Sequence, residues 1–243
     1  MFNWRQISSD PTNKEAQLLL DGALREITRI EAISREEMVL DFCRGRSVLD
    51  IGAGEHDPSF YSSDGWEHGQ IVKVASKAVA VEIDPKLCEF YREKGFDFRC
   101  LDATSDVDLG ERFERIFIGD VIEHVNDPVA LLRFAGRHLA PGGAVLVTTP
   151  NPFAPRVLAK RSKMDTHYVM ANLEHTRWMS TSTMYEVTRR AGLEMSALRW
   201  PLCKRAAPGF KKSWAIFTKR LALMAGPIER AFHEYAFELR KAE

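Results

Sequence analysis

The residues with the clearest chemical potential are two glycines and a set of carboxylates, each following a short apolar run. Asp50-Ile-Gly-Ala-Gly54 comes directly after Val48 and Leu49. Glycine lets backbone take positive φ or approach a ligand closely. A strand that passes through a glycine turn into a helix is how α/β proteins build nucleotide sites. A bare βα turn would look the same, so residues further along must decide. Glu82 ends the run Lys77-Ala-Val-Ala-Val, where a carboxylate can accept hydrogen bonds from a ribose diol. Its neighbour Asp84 precedes Pro85 and reads instead as a helix N-cap. Asp102 follows the run Phe96 to Cys100. From there a carboxylate can accept from the exocyclic amine of adenine, while the Ala103 N–H meets a ring nitrogen. Asp120 follows Phe113 to Ile118, beside the place where a reaction would occur. Each carboxylate alone could be a cap or a surface group. Their placement at the ends of successive apolar runs points to a nucleoside-bearing ligand.

The elements that must hold these residues follow from periodicity. Asn13 to Ala32 has helical spacing of Leu20, Leu24 and Ile27. Ser34-Arg-Glu-Glu37 fits a capping box that opens a second helix. The first strand is Ser47 to Ile51. After it, Glu55 to Gly65 is polar and turn-rich, and a helix starts near Trp66. Strands over 77–84, 96–100, 113–118 and 144–149 then alternate with helices opened by Pro85 and by Asn126-Asp-Pro128. This alternation implies βαβ units and a mainly parallel sheet. Right-handed crossovers put the strand C-termini on one edge, where a ligand should lie. Arg156 to Trp178 is polar and reads as an excursion over the site. Ser180 to Ala191 reads as a capped helix, Leu193 to Trp200 as a sixth strand, and Glu234 to Arg240 as a last strand, antiparallel at the sheet edge.

The composition suits a single domain over 1–243, divided into N-terminal helices (1–45), a ligand-binding core (46–152) and an acceptor-side remainder (153–243). The hydrophobic fraction is 45% and the formal net charge is zero, which counts against a general nucleic-acid binder. Cys43, Cys88, Cys100 and Cys203 include no Cys-x-x-Cys pair and read as reduced thiols. No signal-peptide layout or membrane-length apolar run is present, so a cytoplasmic location is expected. Lys204 to Arg230 has a basic face and an apolar face through Trp214, Phe217, Leu221 and Met224. It reads as helices packed on the sheet between the last two strands, with peripheral membrane contact through 204–230 as the alternative.

Between Ser47 and Pro152 the chain resembles the class I S-adenosylmethionine-dependent methyltransferases. Val-Leu-Asp-Ile-Gly-Ala-Gly is similar to their first motif, Val-Glu-Ile-Asp-Pro to the second-strand motif, and Leu-Asp-Ala to the adenine-contacting motif. Phe113 to Pro128 and Leu139 to Pro152 resemble the fourth- and fifth-strand blocks of the small-molecule group that includes the quinone-biosynthesis O-methyltransferases. The resemblance implies a Rossmann-like, doubly wound α/β fold. Its seven-stranded sheet would be mainly parallel, with an antiparallel last strand and helices on both faces. It implies S-adenosyl-L-methionine as cofactor. Asp50, Gly52, Ala53 and Gly54 would lie by the methionyl part, Glu82 and Ile83 by the ribose, Asp102 and Ala103 by the adenine, and Asp120 and Val121 between cofactor and acceptor. Where the family often has a third glycine this chain has His56. Trp66-Glu-His68 is similar to a Trp-x-His found here in one branch of the family.

The implied reaction is methyl transfer to a small-molecule acceptor, most simply a hydroxyl of a sugar, quinone or natural-product precursor. An alcohol acceptor benefits from a general base. The candidates are His124, past the fourth strand, and His167 and His175, in the excursion. His56 and His68 read as structural or cofactor contacts. No helix offers two histidines one turn apart, so no metal site is expected. Asn151-Pro-Phe153 is similar to the Asn-Pro-Pro-Phe of amino-methylating nucleic-acid enzymes, but it follows the fifth strand and lacks the second proline; it reads as a strand exit. Alternatives are RNA or protein methylation, or a non-catalytic module that binds an adenosine ligand.

Overall fold

The computed structural model describes residues 2–55, 57–154, 172–205, 209–224 and 226–242. In chain order, α1 (Lys14–Ile27) runs into β1 (Thr28–Ile30), α2 (Arg35–Cys43) into β2 (Ser47–Ile51), α3 (Glu67–Val74) into β3 (Lys77–Glu82) and α4 (Pro85–Glu93) into β4 (Phe98–Cys100). Then come β5 (Phe113–Gly119), α5 (Pro128–His138), β6 (Leu139–Pro150), α6 (Thr181–Arg190), β7 (Leu193–Trp200), α7 (Gly209–Met224) and β8 (Glu234–Lys241). The helix starts follow their caps. Ser34 and Glu37 form the expected capping box, and Asp84, Asp127 and Ser180 each accept a backbone N–H from the first turn they precede.

Among the described residues, eight strands form one sheet in the order β1-β7-β8-β6-β5-β2-β3-β4. The stretch from β6 to β4 is parallel, and β8 is antiparallel to both of its neighbours. Two expectations change. The sheet has an eighth strand, because helical spacing over Asn13 to Ala32 concealed a break at Thr28. The Thr28 hydroxyl bonds back to the Leu24 carbonyl, and Thr28 to Ile30 pairs in parallel with Leu198 to Trp200. The last strand is interior rather than at the edge. Tyr235, Ala236, Phe237 and Leu239 are all buried, so β8 has both faces covered, as an internal strand requires.

The two faces of the sheet are separated by strand alternation. Val48, Phe117, Leu146 and Ala236 pack against Met38, Val39 and Phe42 of α2 and Ile71 of α3. Leu49, Ile51, Ile116, Ile118, Val145 and Val147 pack on the other side with Leu131, Phe134 and Ala135 of α5 and Met184 and Tyr185 of α6. Strand order reverses between β2 and β5, so the C-terminal ends of β2, β3 and β5 flank the crevice where α/β sheets bind ligands.

Candidate active site

Those strand ends open onto a cleft of about 960 Å³. The residues assigned from sequence to the cofactor all line it: Asp50 to Gly54, Glu82, Ile83, Asp102, Ala103, Asp120 and Val121. His124 and His175 line it as well. His167 and His56 lie outside the described residues, as does most of the 156–178 excursion.

The glycines are required by space. Gly52 has φ +76, and a Cβ there would meet Val121 Cγ2 at 2.3 Å; at Gly54 a Cβ would meet Glu82 Oε2 at 2.7 Å. Glu82 is buried, with Oε2 accepting from Gly54 N at 3.1 Å and Oε1 accepting from Ile83 N at 2.8 Å and Asp84 N at 3.1 Å. Backbone donors therefore fix the carboxylate while leaving lone pairs for a diol. Beside it, Ile83 is 65% exposed and offers an apolar surface to a flat ring. Asp102 forms an Asx turn with Thr104 through Oδ1. We expect Gly52→Ala to abolish cofactor binding in a titration and to lower stability by about 1–3 kcal/mol, since both the αL strain and the clash with Val121 must be absorbed; unchanged binding would contradict this geometry.

The loop lacking a third glycine is held from outside. Trp66 donates from Nε1 to the Ala53 carbonyl at 3.0 Å, and the Tyr91 hydroxyl accepts from Glu55 N at 3.2 Å. Trp66 stacks on Tyr91, which stacks on Phe98. His68 is buried with Nδ1 2.8 Å from Asp50 Oδ2. The Trp-x-His at the start of α3 thus supplies the loop's anchors, and Asp50 is committed to His68 through its side chain.

Sequence reading missed a buried charge cluster. Arg35, at the first position of α2, is 2% exposed. Its Nη1 is 2.8 Å from Asp120 Oδ2, its Nη2 is 2.9 Å from Glu67 Oε2, and Glu234 Oε1 is 3.8 Å away. Burial opposes the guanidinium charge, but the three carboxylates outweigh it and raise its pKa. Asp120 sits at φ 53, a left-handed conformation that Asp tolerates better than most residues. That turn aims its carboxylate into the cleft, where Oδ1 has no hydrogen-bond partner among the described residues. The only local signal was Ser34-Arg35, which reads simply as a helix start.

The second missed residue is Glu123, 1% exposed, whose Oε2 accepts from the Thr149 hydroxyl at 2.9 Å. Oε1 has no hydrogen-bond partner among the described residues and lies 3.9 Å from His175 Nε2. The rings of His124 and His175 meet edge to face at 4.6 Å. Ligand atoms of Glu123, His124 and His175 fall within 4.8 Å of one another, a geometry that could also hold a cation although none was expected from sequence. Burial, and secondarily Asp120, pushes the Glu123 carboxyl up to about 7. The folded state then keeps a proton that the unfolded chain loses above its ordinary carboxylate pKa. Glu123 therefore contributes stability at low pH and loses it as pH rises towards 7. We expect Glu123→Gln to gain on the wild type by on the order of 2 kcal/mol between about pH 5 and pH 8 in denaturant melts. A difference independent of pH would contradict this placement.

Asn151 is a structural latch. Its N–H donates to His233 O, its Nδ2 donates to Glu229 O and Phe232 O, and its Oδ1 accepts from Phe153 N. These bonds tie the end of β6 to the start of β8, in line with the strand-exit reading.

The cleft fits the ligand that the motifs imply. A diol acceptor at Glu82, apolar surface at Ile83, and unpaired oxygens at Asp120 and Glu123 suit a molecule with a nucleoside at one end and cationic groups at the other. The comparisons agree. A family model described as "Methyltransferase domain" matches residues 21–198. Phosphoethanolamine N-methyltransferase 3 of Arabidopsis thaliana is 27% identical over 199 residues, covering 69% of this chain and 38% of that protein. A ubiquinone biosynthesis O-methyltransferase of Cereibacter sphaeroides is 24% identical over 165 residues, covering 62% of this chain and 61% of that one. The chain thus spans less than two thirds of the length of these relatives. Solved structures of S-adenosylmethionine-dependent methyltransferases from Mesorhizobium loti and Archaeoglobus fulgidus share the fold. The first has a TM-score of 0.52 at 14% identity, covering 85% of this chain and 95% of that one. The second has a TM-score of 0.53 at 16% identity, covering 93% and 99%. With a family match over most of its length, the chain belongs to the methyltransferase-domain family, and it has the fold of solved S-adenosylmethionine-dependent methyltransferases.

Proposed function

We propose that the protein methylates a small-molecule acceptor, at a hydroxyl, with Glu123 and His175 managing the acceptor's proton. The observation that carries this reading is the convergence of Glu123, His124 and His175 in the cleft just past Asp120 and Val121. When bound, S-adenosylmethionine supplies a methyl group already activated by its sulfonium. Glu82 and the Gly52–Gly54 turn hold the nucleoside end, so the work left to the chain is alignment and exclusion of water. His175, half-buried, accepts the hydroxyl proton as the new C–O bond forms. Glu123, 3.9 Å from it, closes on the imidazolium and offsets its charge.

We expect His175→Ala and Glu123→Gln each to lower kcat by about 10²–10⁴-fold while leaving the cofactor Kd within about threefold. Unchanged turnover in both variants would rule the pair out. With methyl-labelled cofactor offered to small-molecule, RNA and protein fractions, label should enter the small-molecule fraction. Label in a macromolecular fraction alone would overturn the acceptor class.

A second reading, transfer to an amine, is favoured by one feature. Asp120 Oδ1, Glu123 Oε1 and Glu234 Oε2 are buried acceptors without hydrogen-bond partners among the described residues, and an ammonium would satisfy them. Fragmentation of the labelled product separates an O-methyl from an N-methyl outcome.

A further inference from the structure

Two cysteines meet at the outer edge of the sheet, behind the residues that line the cleft. β4 ends the strand order and is three residues long. Among the described strands it pairs with β3 alone, with Cys100 in register with Glu82. Cys88 lies in the first turn of α4, which starts at Pro85 just past that strand end. Its Sγ donates to the Glu82 carbonyl at 3.4 Å, and Cys100 Sγ lies 4.0 Å from the next carbonyl, that of Ile83. The two sulfurs therefore sit on adjacent peptide oxygens, and the thiols hydrogen-bond each other. They form no Cys-x-x-Cys, so it is strand pairing and not a local motif that brings them together.

The two thiols differ in access. Cys88 is buried and Cys100 is exposed. Burial, and then the hydrogen bond with Cys100, pushes the Cys88 thiol up to about 12. Cys88 therefore stays protonated at neutral pH, and Cys100 is the one that meets an oxidant from solvent. An accessible thiol beside a second cysteine that can resolve it is the arrangement of redox-responsive pairs. The chain around the pair ties it to the cleft. Leu101, Asp102 and Ala103, directly after Cys100, line the cleft, as do Glu82 and Ile83. Leu101 N also donates to the Glu82 carbonyl at 3.0 Å.

We propose that Cys88 and Cys100 are a reversible oxidation site: hydrogen peroxide joins them in a disulfide, and the link weakens binding of the cofactor's adenosine end. The Cys100 sulfur attacks the peroxide. An S–O bond forms, the O–O bond breaks and water leaves, giving a sulfenic acid. The Cys88 sulfur then attacks Cys100 Sγ. The S–S bond forms, the S–O bond breaks, and hydroxide departs with the Cys88 proton as a second water. The two thiols lose two electrons and the peroxide gains them. A disulfide holds its sulfurs about 2.05 Å apart, closer than any non-bonded contact. Closure draws the end of β4 onto α4 and takes the Cys88 donor from the Glu82 carbonyl. β3 is held by a strand on each side and β4 on one side only, so β4 yields. The shift passes to Leu101, Asp102 and Ala103 on the adenine side of the cleft. The effect on binding rests on the adenosine placement proposed for Glu82 and Asp102; the oxidation site does not.

Trypsin separates the two cysteines, cutting after Lys86, Arg92, Arg99 and Arg112. The full-length protein is treated with hydrogen peroxide, its remaining thiols are alkylated, and the digest is read by mass spectrometry without reductant. The peptide Leu87–Arg92 should appear joined to Cys100–Arg112, and dithiothreitol should separate them. Calorimetric titration of S-adenosylmethionine should give a Kd at least about fivefold higher for the oxidised protein, returning to the starting value on reduction. Cys100→Ser falls on an exposed position, so it should keep the wild-type Kd and melting temperature and lose the response to peroxide. Absence of the joined peptide would overturn the proposal, as would a link between two chains through Cys100 on a non-reducing gel. So would a joined peptide with a Kd within about twofold of the reduced protein. Reduced protein that binds no cofactor would refute the adenosine placement and the effect on binding with it, while the joined peptide would still decide the oxidation site.

Discussion

Replacing Arg35 by methionine should destabilise the protein by about 3–5 kcal/mol, because it removes the buried guanidinium that bridges three carboxylates. Asp120, Glu67 and Glu234 all lie within 3.8 Å of its guanidinium. Other cations act on them more weakly: Lys204 lies 3.8 Å from Asp120 and is largely exposed, and Lys219 acts on Glu234. For a chain of this size the loss corresponds to a fall in Tm of roughly 6–20 °C. It should shrink towards acid pH, where the stranded carboxylates take up protons. Arg35→Lys should give an intermediate loss, since an ammonium restores the charge but cannot reach two carboxylates with a planar fork. Urea melts at neutral and mildly acid pH measure both. A loss below about 1 kcal/mol for Arg35→Met would show that the cluster is solvated like a surface pair.

The same cluster fixes the cleft. The N–H of Arg35 donates to the Cys203 carbonyl and that of Glu36 to the Lys204 carbonyl, so donors left open at the start of α2 pin the segment that follows β7. Arg35→Met should therefore also weaken catalysis through Asp120, beyond its effect on stability.

The second large effect is expected at Glu82. Glu82→Ala removes the acceptor for three backbone N–H groups, those of Gly54, Ile83 and Asp84, together with the ribose contact we propose for it. We expect the cofactor Kd to rise at least about 100-fold, the equivalent of roughly 2.7 kcal/mol. Glu82→Gln should be milder, because it keeps one acceptor oxygen, though it places an amide where two donors converge. Calorimetric titration of both variants decides this. A Kd within threefold of the wild type for Glu82→Ala would remove Glu82 from the cofactor site.

Much of this was legible in the sequence, and the exceptions share a cause. The βα alternation from Ser47 to Pro150 and its caps are local patterns, and each maps onto an observed element. Asp50 to Gly54, Glu82, Asp102 and Asp120 follow apolar runs, so a parallel sheet necessarily gathers them at one edge. By contrast, β8 lies between β7 and β6, a placement set by pairing between distant residues that no local pattern encodes. β1 was hidden because Thr28, Arg29 and Ile30 continue a helical spacing and only their pairing with β7 makes them a strand. In the site, Glu123 stands directly before His124 but was passed over, because its role depends on burial and on Thr149 and His175, 26 and 52 positions away. Arg35 and Glu234 meet across the whole chain.

The most direct test of the central claim is an isothermal titration of S-adenosylmethionine into the wild-type protein. The account predicts saturable one-site binding with a Kd in the micromolar range, about −7 to −8 kcal/mol. No binding heat up to about 1 mM cofactor, with the protein folded by circular dichroism, would contradict it.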